Sequence, residues 1–506
     1  MKEKRLFINL FSNLLSYASS IAISFFLTPF LVKHLGKEIY GFYGIANNVV
    51  SYVSITSIAL NSMAAKYITV ELVRGNRLKA EQYFTSIFFS NILLSIILAP
   101  ILALIVIFLQ NLFNISDIYL HDVRILFLLV FCAMILNFIF SVVGSATYAK
   151  NRVDLKAYSD IGRALLRICL YVMIFKVFKP SIVYVGLVAL CLETYNSGIQ
   201  LILKKKLMPE LGISPKFFNK RLVFQVLKVG IWNSLNHLGD LLLSSSDVIF
   251  ANIMLCESAS GIISIIKTMP SLLSGVITAI NGVFMPRIAI SYGESNKKKL
   301  IKEVNLSQRV MGCITTTVVM MLILFAKEFY DLWVPGNDSD LLMKLSSIDI
   351  SRMLFVGVTW PIANLNIVMD KIKYPSLLVI ASGIANVVSM YHLIQFTELG
   401  IFSIPITTLV LSVLFYGIFI PLYPCKLLNV SYKTFLKPIL EMFISIALIS
   451  ATIIPIKRFI TIVSWGDFIL CCGIFGTGCF LISVFTFFRP QNIFLIVQQC
   501  FDKQGG

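Results

Sequence analysis

The sequence predicts an all-α integral membrane protein with about 14 transmembrane helices. Three observations lead to this fold class: 58% of the 506 residues are hydrophobic, only 13% are charged, and the mean hydropathy is +0.86. Soluble domains are about 45–50% apolar and about 25% charged. This chain has too few charged residues to cover the surfaces of several soluble domains. The composition therefore excludes an ordinary soluble enzyme, a nucleic-acid-binding domain and a disordered scaffold.

A helix that crosses a bilayer needs about 20 mostly apolar residues, and fourteen segments meet this length. The weakest are 158–178, with two arginines, and 349–370, with two aspartates and an arginine. The first segment lacks a small-residue cleavage site and is too long for a signal peptide, so we expect it to remain as the first membrane helix. In order, the predicted spans are 8–32, 40–67, 84–110, 124–149, 158–178, 182–203, 229–254, 261–287, 310–327, 349–370, 374–394, 399–422, 438–456 and 466–488.

Basic residues are distributed unevenly over the connections between these spans. With a cytoplasmic N-terminus, the cytoplasmic segments carry 29 of the 43 Lys and Arg, the opposite side carries nine, and five lie within spans. This asymmetry follows the positive-inside rule and predicts that both termini are cytoplasmic. Basic loops would then face the anionic lipids of that leaflet, so the net charge of +18 requires no nucleic-acid partner.

The longest cytoplasmic connection suggests a division of the chain. It covers 204–228 and contains three consecutive lysines and two prolines. We predict a first lobe at 1–203 with spans 1–6, an interlobe linker at 204–228, a second lobe at 229–422 with spans 7–12, and a segment at 423–506 with spans 13–14 and a cytoplasmic tail. A shift of about 220 residues places Gly41 on Gly261 and Asn76 on Asn296, which indicates an internal repeat. Chance similarity is the alternative explanation.

Charged groups inside spans are costly and usually line a cavity or form pairs. Cations outnumber carboxylates here, and Arg and Lys both bind phosphate groups. The sequence therefore predicts a positively charged lumen that fits a polyanionic head group. The candidate substrate-binding residues are Lys66, Arg163, Arg167, Lys267 and Arg352. For Lys66 and Lys267 the alternative is a side chain that reaches out to the interface, and for Arg163 it is a structural ion pair with Asp160.

A second set of polar residues lies on helical faces within the spans. Its members are candidates for a polar lumen or for ion coupling: Asn47, Asn61, Glu193, His237, Asp240 and Asp247. Polar stripes can also serve only in helix packing, and a lone histidine is more often a hydrogen-bonded interior residue. Ten cysteines form no C-x-x-C pair, so no metal site, disulfide framework or cofactor is indicated.

Residues 27–44 carry a local motif, in which a proline near the end of span 1 precedes Leu-Gly-x-Glu-x-Tyr-Gly at the start of span 2. Its residues are Pro29, Gly36, Glu38, Tyr40 and Gly41. Pro29 removes a backbone donor, and Gly36 permits a tight turn. The motif resembles the signature of Wzx-type O-antigen and capsule flippases in the multidrug/oligosaccharidyl-lipid/polysaccharide (MOP) exporter superfamily.

This resemblance implies a MATE-like architecture with two six-helix lobes in a V around a central cavity and two additional C-terminal helices. It implies a monomer in the bacterial inner membrane that acts in polysaccharide or lipopolysaccharide biosynthesis and associates with membrane lipids and polysaccharide assembly proteins. The chain would move an undecaprenyl-pyrophosphate-linked oligosaccharide from the cytoplasmic to the periplasmic leaflet by alternating access. It would be a transporter, not an enzyme. Coupling to a proton or sodium gradient is a further expectation.

Two alternatives remain open at the level of sequence. A cation-coupled multidrug exporter would share the fold, although the excess of buried cations disfavours it. A membrane-bound polysaccharide polymerase or ligase would also have many spans. Such enzymes typically use large external loops, and the longest one here, about 327–348, shows no catalytic constellation.

Overall fold

The fold is built from fourteen long helices, and no β-strand occurs in the parts of the chain that the structure describes. This computed structural model describes residues 2–150, 152–294, 296–369 and 371–488. The helices are α1 (Lys2–Leu35), α2 (Lys37–Asn61), α3 (Arg77–Ile107), α4 (Asp117–Phe140), α5 (Val153–Val177), α6 (Val183–Leu207), α7 (Lys220–Ser244), α8 (Glu257–Gly293), α9 (Lys297–Leu324), α10 (Ser339–Val368), α11 (Lys373–Phe396), α12 (Gly400–Leu428), α13 (Lys433–Lys457) and α14 (Trp465–Phe487).

Each predicted span overlaps one of these helices, which confirms the all-α multi-span fold class. Among the described residues, ten helices are long and apolar enough to cross a membrane by length and composition. The other four are α2, α5, α7 and α10, which carry most of the polar and charged side chains predicted to line a lumen. Fourteen is therefore an approximate number of spans. The helices that fall short are those whose polarity needs a cavity or a partner inside the protein.

The helices form two compact units. The first comprises Met1–Thr268 and Ser376–Ile401, and the second comprises Met269–Pro375 and Phe402–Gly506. Helices α1–α7, the first part of α8 and nearly all of α11 thus belong to the first unit. These units differ from the predicted lobes in their bounds, and a compact unit need not be a part that moves as one. The lobe boundaries at 203/204 and 228/229 stay a prediction.

The connection between α6 and α7 is shorter than the predicted linker, because α6 continues to Leu207 and α7 begins at Lys220. It is docked on α3 within the first unit. Met208 and Leu211 are fully buried in an apolar cluster with residues of α3. The backbone nitrogen of Gly212 donates to Glu81 at 2.9 Å. Since a loose loop would leave these groups in solvent, this segment is an ordered part of the first unit.

The internal repeat predicted from sequence has a counterpart in the helix boundaries. Both α2 and α8, and likewise α3 and α9, begin at positions 220 residues apart. The N-caps are equivalent too: Asn76 accepts a hydrogen bond from the backbone of Lys79 at 3.2 Å, and Asn296 accepts one from Lys299 at 3.0 Å. An N-cap side chain satisfies a backbone donor that the helix leaves unpaired. The same residue at the same register in both halves argues against chance similarity.

Helices α2 and α8 cross within the first unit at small residues. A Cβ atom on Gly41 would lie 2.8 Å from the backbone nitrogen of Gly261, and one on Gly44 would meet the side chain of Ser264. Both pairs join positions 220 residues apart. Contacts between equivalent positions are what a local two-fold relation produces. The crossing therefore relates the start of the first repeat to the start of the second.

Candidate functional site

A cavity of about 250 Å³ lies inside the first unit among α2, α4, α5 and α6. Helix α5 contributes Arg163, Arg167 and Tyr171, which are spaced by four residues and therefore share one helix face. The remaining lining residues are Tyr43, Asn47, Val50, Ser54, Val130, Ala133, Met134, Asn137, Ala189, Leu192 and Glu193. The cavity thus brings together four of the residues singled out from the sequence: Asn47, Arg163, Arg167 and Glu193.

The carboxylate of Glu193 is held by three donors from three helices. Arg163 Nη2 lies 2.8 Å from Glu193 Oε2, while Asn137 Nδ2 and Asn196 Nδ2 donate to Glu193 Oε1 at 2.8 and 2.9 Å. The glutamate side chain is 7% exposed and that of Arg163 is 32% exposed. A buried carboxylate is stable only when paired and hydrogen-bonded. This cluster therefore neutralises one of the two arginines and fixes its position.

Arg167, one turn along α5, differs from Arg163 in its partners. It is half-buried and lines the same cavity, and no hydrogen bond or ion pair joins its side chain to another described residue. Its charge is therefore uncompensated beside a neutral Arg163–Glu193 pair. Arg163 Nε is also buried without a hydrogen-bond partner. The cavity therefore presents guanidinium donors that can receive an anion.

The other candidate cations lie elsewhere, and two of them are paired. Lys267 of α8 forms an ion pair with the fully buried Asp247, which follows the end of α7. In the second unit, Arg352 Nε lies 3.7 Å from Asp349 Oδ1, one turn away on α10. Lys66 is exposed in the short helix after α2. These two ion pairs neutralise cations that were expected to make the lumen positively charged. The binding roles of the three residues stay predictions.

The remaining polar candidates divide between hydrogen bonds to the backbone of their own helix and contacts to another helix. Asn47 donates to the backbone of Tyr43 on its own helix at 3.0 Å. Asn61 exchanges two hydrogen bonds of 3.1 Å with the fully buried Asn91 of α3. His237 and Asp240 lie half-buried on α7, outside the arginine cavity. Their roles in ion coupling stay predictions.

A second cavity of about 400 Å³ adjoins the first and shares Asn137 with it. No described carboxylate or arginine lines it, and Lys156 is its only cation among the described residues. Its lining residues are Asn61, Ala64, Ala65, Asn137, Ser141, Val142, Gly144, Ser145, Thr147, Tyr148, Lys156 and Gln200. We call the first cavity the arginine cavity and the second the amide cavity.

Sequence reasoning missed Asn137, Asn196 and Gln200. A signal for two of them was present, because Glu193, Asn196 and Gln200 are spaced by three and four residues and so share a face of α6. Nothing in the sequence indicates that Asn137, 56 residues before Glu193, meets this face.

The motif at residues 29–41 forms the turn between α1 and α2. Gly36 adopts φ +86°, a backbone conformation that residues with a Cβ atom disfavour. The hydroxyl of the buried Tyr40 lies 3.4 Å from Thr28 Oγ1, which ties the start of α2 to the end of α1. Pro29 lies inside α1 and Glu38 in the first turn of α2. In the part of the chain that the structure describes, no group of three His, Cys, Asp or Glu side chains could hold a metal ion.

The many long apolar helices and the polar cavities among them define a multi-span α-helical membrane protein. A solved structure of a multidrug resistance MATE family transporter of the MOP superfamily, in an inward-facing conformation, has a TM-score of 0.69 at 14% identity, and the match covers 84% of this chain and 98% of that one. The lipid II flippase MurJ, in an inward closed conformation, has a TM-score of 0.63 at 13% identity, covering 96% of this chain and 99% of that one.

The family model described as "Polysaccharide biosynthesis protein" matches residues 6–292, which is more than half of the chain. The chain therefore belongs to this family, and the predicted resemblance to polysaccharide flippases is confirmed. A curated relative, the uncharacterized membrane protein EpsK of Bacillus subtilis (strain 168), is 26% identical over 478 residues, or 94% of each chain.

Proposed function

We propose that this protein flips a lipid-linked oligosaccharide, an undecaprenyl-pyrophosphate-linked repeat unit of O-antigen or capsule, from the cytoplasmic to the periplasmic leaflet. The observation that carries this proposal is the uncompensated Arg167 in a cavity of a polysaccharide-biosynthesis protein. Guanidinium groups bind phosphate oxygens in pairs. A pyrophosphate is the anionic group that links the lipid to the glycan in such a substrate.

The roles of the cavity residues follow from their partners. Arg167 supplies the charge and donors for the pyrophosphate. Arg163 contributes its remaining donors while Glu193 holds it in place. The lipid chain stays in the bilayer because its transfer into water is unfavourable. Alternating access then requires two conformations of the protein that expose the cavity to opposite sides.

The extent of the structural likeness supports a flippase-type arrangement. The multidrug MATE structure covers 84% of this chain, whereas MurJ covers 96%. A match over nearly the whole chain includes helices α13 and α14, which the sequence analysis placed outside the two six-span lobes. The proposal also includes a location in the bacterial inner membrane, cytoplasmic termini, and function as a monomer that is not an enzyme. The 29-to-9 distribution of basic residues supports the orientation, and membership in the family supports a membrane location.

Ion coupling is part of the same proposal. Glu193 and Asp247 are both in ion pairs, which disfavours their exchange of a proton or sodium ion. His237 and Asp240, three residues apart on α7 and within a predicted span, are the residues to test. Uptake into vesicles with an imposed proton or sodium gradient would show which ion, if either, drives transport. Loss of that dependence in Asp240→Asn would support the assignment.

The test is a strain in which this gene encodes the sole flippase for a surface polysaccharide. On deletion, lipid-linked repeat units should accumulate on the cytoplasmic face and surface polysaccharide should disappear. The wild-type gene should restore surface polysaccharide and remove the accumulated lipid-linked units. So should Lys176→Gln, which changes an exposed residue near the end of α5, whereas Arg167→Gln should do neither. Normal surface polysaccharide in the deletion strain would refute the proposal. Drug sensitivity with unchanged polysaccharide would instead identify the alternative, a cation-coupled multidrug exporter.

A further inference from the structure

We propose that the amide cavity is a sugar subsite, which binds the part of the glycan nearest the pyrophosphate through its hydroxyl groups. This inference rests on the proposed function and adds a ligand for a cavity that carries no arginine. The starting observation is that the two cavities share Asn137. A ligand with its phosphates at Arg167 would place the adjoining atoms next to this residue. In a lipid-linked oligosaccharide, those atoms belong to a sugar on one side of the pyrophosphate and to the lipid on the other, and only the sugar has hydroxyl groups for a polar wall.

The hydrogen bonds around Glu193 orient the amide groups that border the cavity. An ionised carboxylate only accepts hydrogen bonds, so Asn137 and Asn196 must each turn their NH2 group towards it. The Asn196 oxygen then faces Gln200, whose Nε2 donates to it at 3.1 Å. The carbonyl oxygens of Asn137 and Gln200 remain. Neither accepts a hydrogen bond from any other side chain or backbone group in the described ranges.

Two hydroxyl groups of the wall, those of Thr147 and Ser141, also leave acceptors for a ligand. Thr147 donates its hydrogen to the backbone oxygen of Gly144 at 3.0 Å, and Ser141 donates to Phe138 at 2.9 Å while accepting from Asn91. Their remaining lone pairs can only accept. These groups offer acceptors, while Lys156 and the unpartnered hydroxyl of Ser145 can donate, so a complementary ligand must bring both donors and acceptors.

A sugar fits these requirements better than a cation does. Acceptor oxygens could also bind a cation, but the uncompensated charge of Arg167 in the adjoining cavity would repel one. The carboxylate of Glu193 does not offset this repulsion because Arg163 already neutralises it. Sugar hydroxyls are neutral groups that both donate and accept hydrogen bonds. A volume of about 400 Å³ lies in the range of small-molecule sites.

The subsite is testable with two lipid probes and purified protein in nanodiscs. One probe is undecaprenyl pyrophosphate, and the other is the same lipid carrying one hexose or one N-acetylhexosamine. Wild type should bind a glycosylated probe more tightly than the bare one. Gln200→Met should weaken binding of the glycosylated probe about threefold to tenfold, the loss expected for one hydrogen bond. Its affinity for the bare probe should be unchanged. The matched control is Thr194→Val, on an exposed face of α6.

The outcomes separate this inference from the proposed function. Equal affinity of wild type for bare and glycosylated probes, or equal losses for both in Gln200→Met, would overturn the sugar subsite and leave the flippase proposal standing. If Gln200→Met instead weakens the binding of a cationic dye, the cavity would belong to a different ligand, and this result would also overturn the sugar subsite. Absence of binding for every lipid probe would refute both proposals. If Gln200→Met does not fold, Thr147→Val carries the same expectation.

Discussion

Replacing Arg167 by glutamine should separate binding from stability. The two arginines of the cavity differ in one respect, since Arg163 is paired with Glu193 at 2.8 Å and Arg167 has no ion-pair partner among the described residues. Arg167→Gln therefore leaves no protein group unsatisfied. It removes hydrogen bonds from a charged donor to the pyrophosphate, which contribute about 1.5–3 kcal/mol. Binding of undecaprenyl pyrophosphate should weaken about tenfold to 150-fold.

Arg163→Gln is the contrasting variant. It leaves the buried Glu193 carboxylate without its cation, which costs roughly 1–3 kcal/mol or more for a charged group. We expect a clear loss of thermal stability in this variant and little in Arg167→Gln. The measurements are equilibrium binding of undecaprenyl pyrophosphate and thermal unfolding, both on purified protein in nanodiscs. Lys176→Gln on the same helix controls for lost positive charge.

The reasoning would be refuted by either of two results. One is an Arg167→Gln variant that binds the pyrophosphate lipid as tightly as Lys176→Gln does. The other is an Arg167→Gln variant that unfolds at the same lowered temperature as Arg163→Gln, which would mean that Arg167 has a structural partner. A lysine at position 167 should recover part of the affinity, because it keeps the charge and loses the bidentate geometry.

Three further predictions concern the frame of the first unit. Lys267→Met should lower the unfolding temperature because it removes the cation paired with the fully buried Asp247. The double variant with Asp247→Asn should recover much of the loss in a double-mutant cycle, and additive losses would contradict the ion pair. Gly41→Val should abolish transport or folding, since even its Cβ would lie 2.8 Å from the backbone of Gly261, and a normal rate of polysaccharide export would count against this crossing. Gly36→Ala should cost about 1–3 kcal/mol in chemical unfolding, because φ 86° with ψ 160° is a backbone conformation that essentially only glycine adopts, and no change would show that this turn relaxes.

The fold could be predicted from the sequence to a large extent. Long apolar segments predict helices because the bilayer leaves the backbone no other partners, and each predicted span found one. The helix ends were predicted less well. Apolarity alone does not show that α10 begins at Ser339 and not near 349, because its first turns are polar and still helical. The repeat was detectable because Asn76 and Asn296 serve the same local purpose in both halves.

The candidate site could be predicted only in part. Arg163 and Arg167 stood out because charge within a span is rare and costly. The sequence did not show that Arg163 is paired and Arg167 is not, because the pairing depends on Glu193, which lies 30 residues beyond Arg163 along the chain. The amide cavity was missed altogether. Asn137 and Gln200 are ordinary polar residues until α4 and α6 place them beside Glu193.

The sequence by itself determined the class of protein, the approximate number of spans and the excess of cations. These properties add up residue by residue, because hydropathy and charge depend on composition within a short window. Only the tertiary structure decided which charges remain after pairing, because ion pairs form between helices that are distant in sequence. Within the described chain, packing between helices paired Arg163 with Glu193 and Lys267 with Asp247, and it left Arg167 without an ion-pair partner in its cavity.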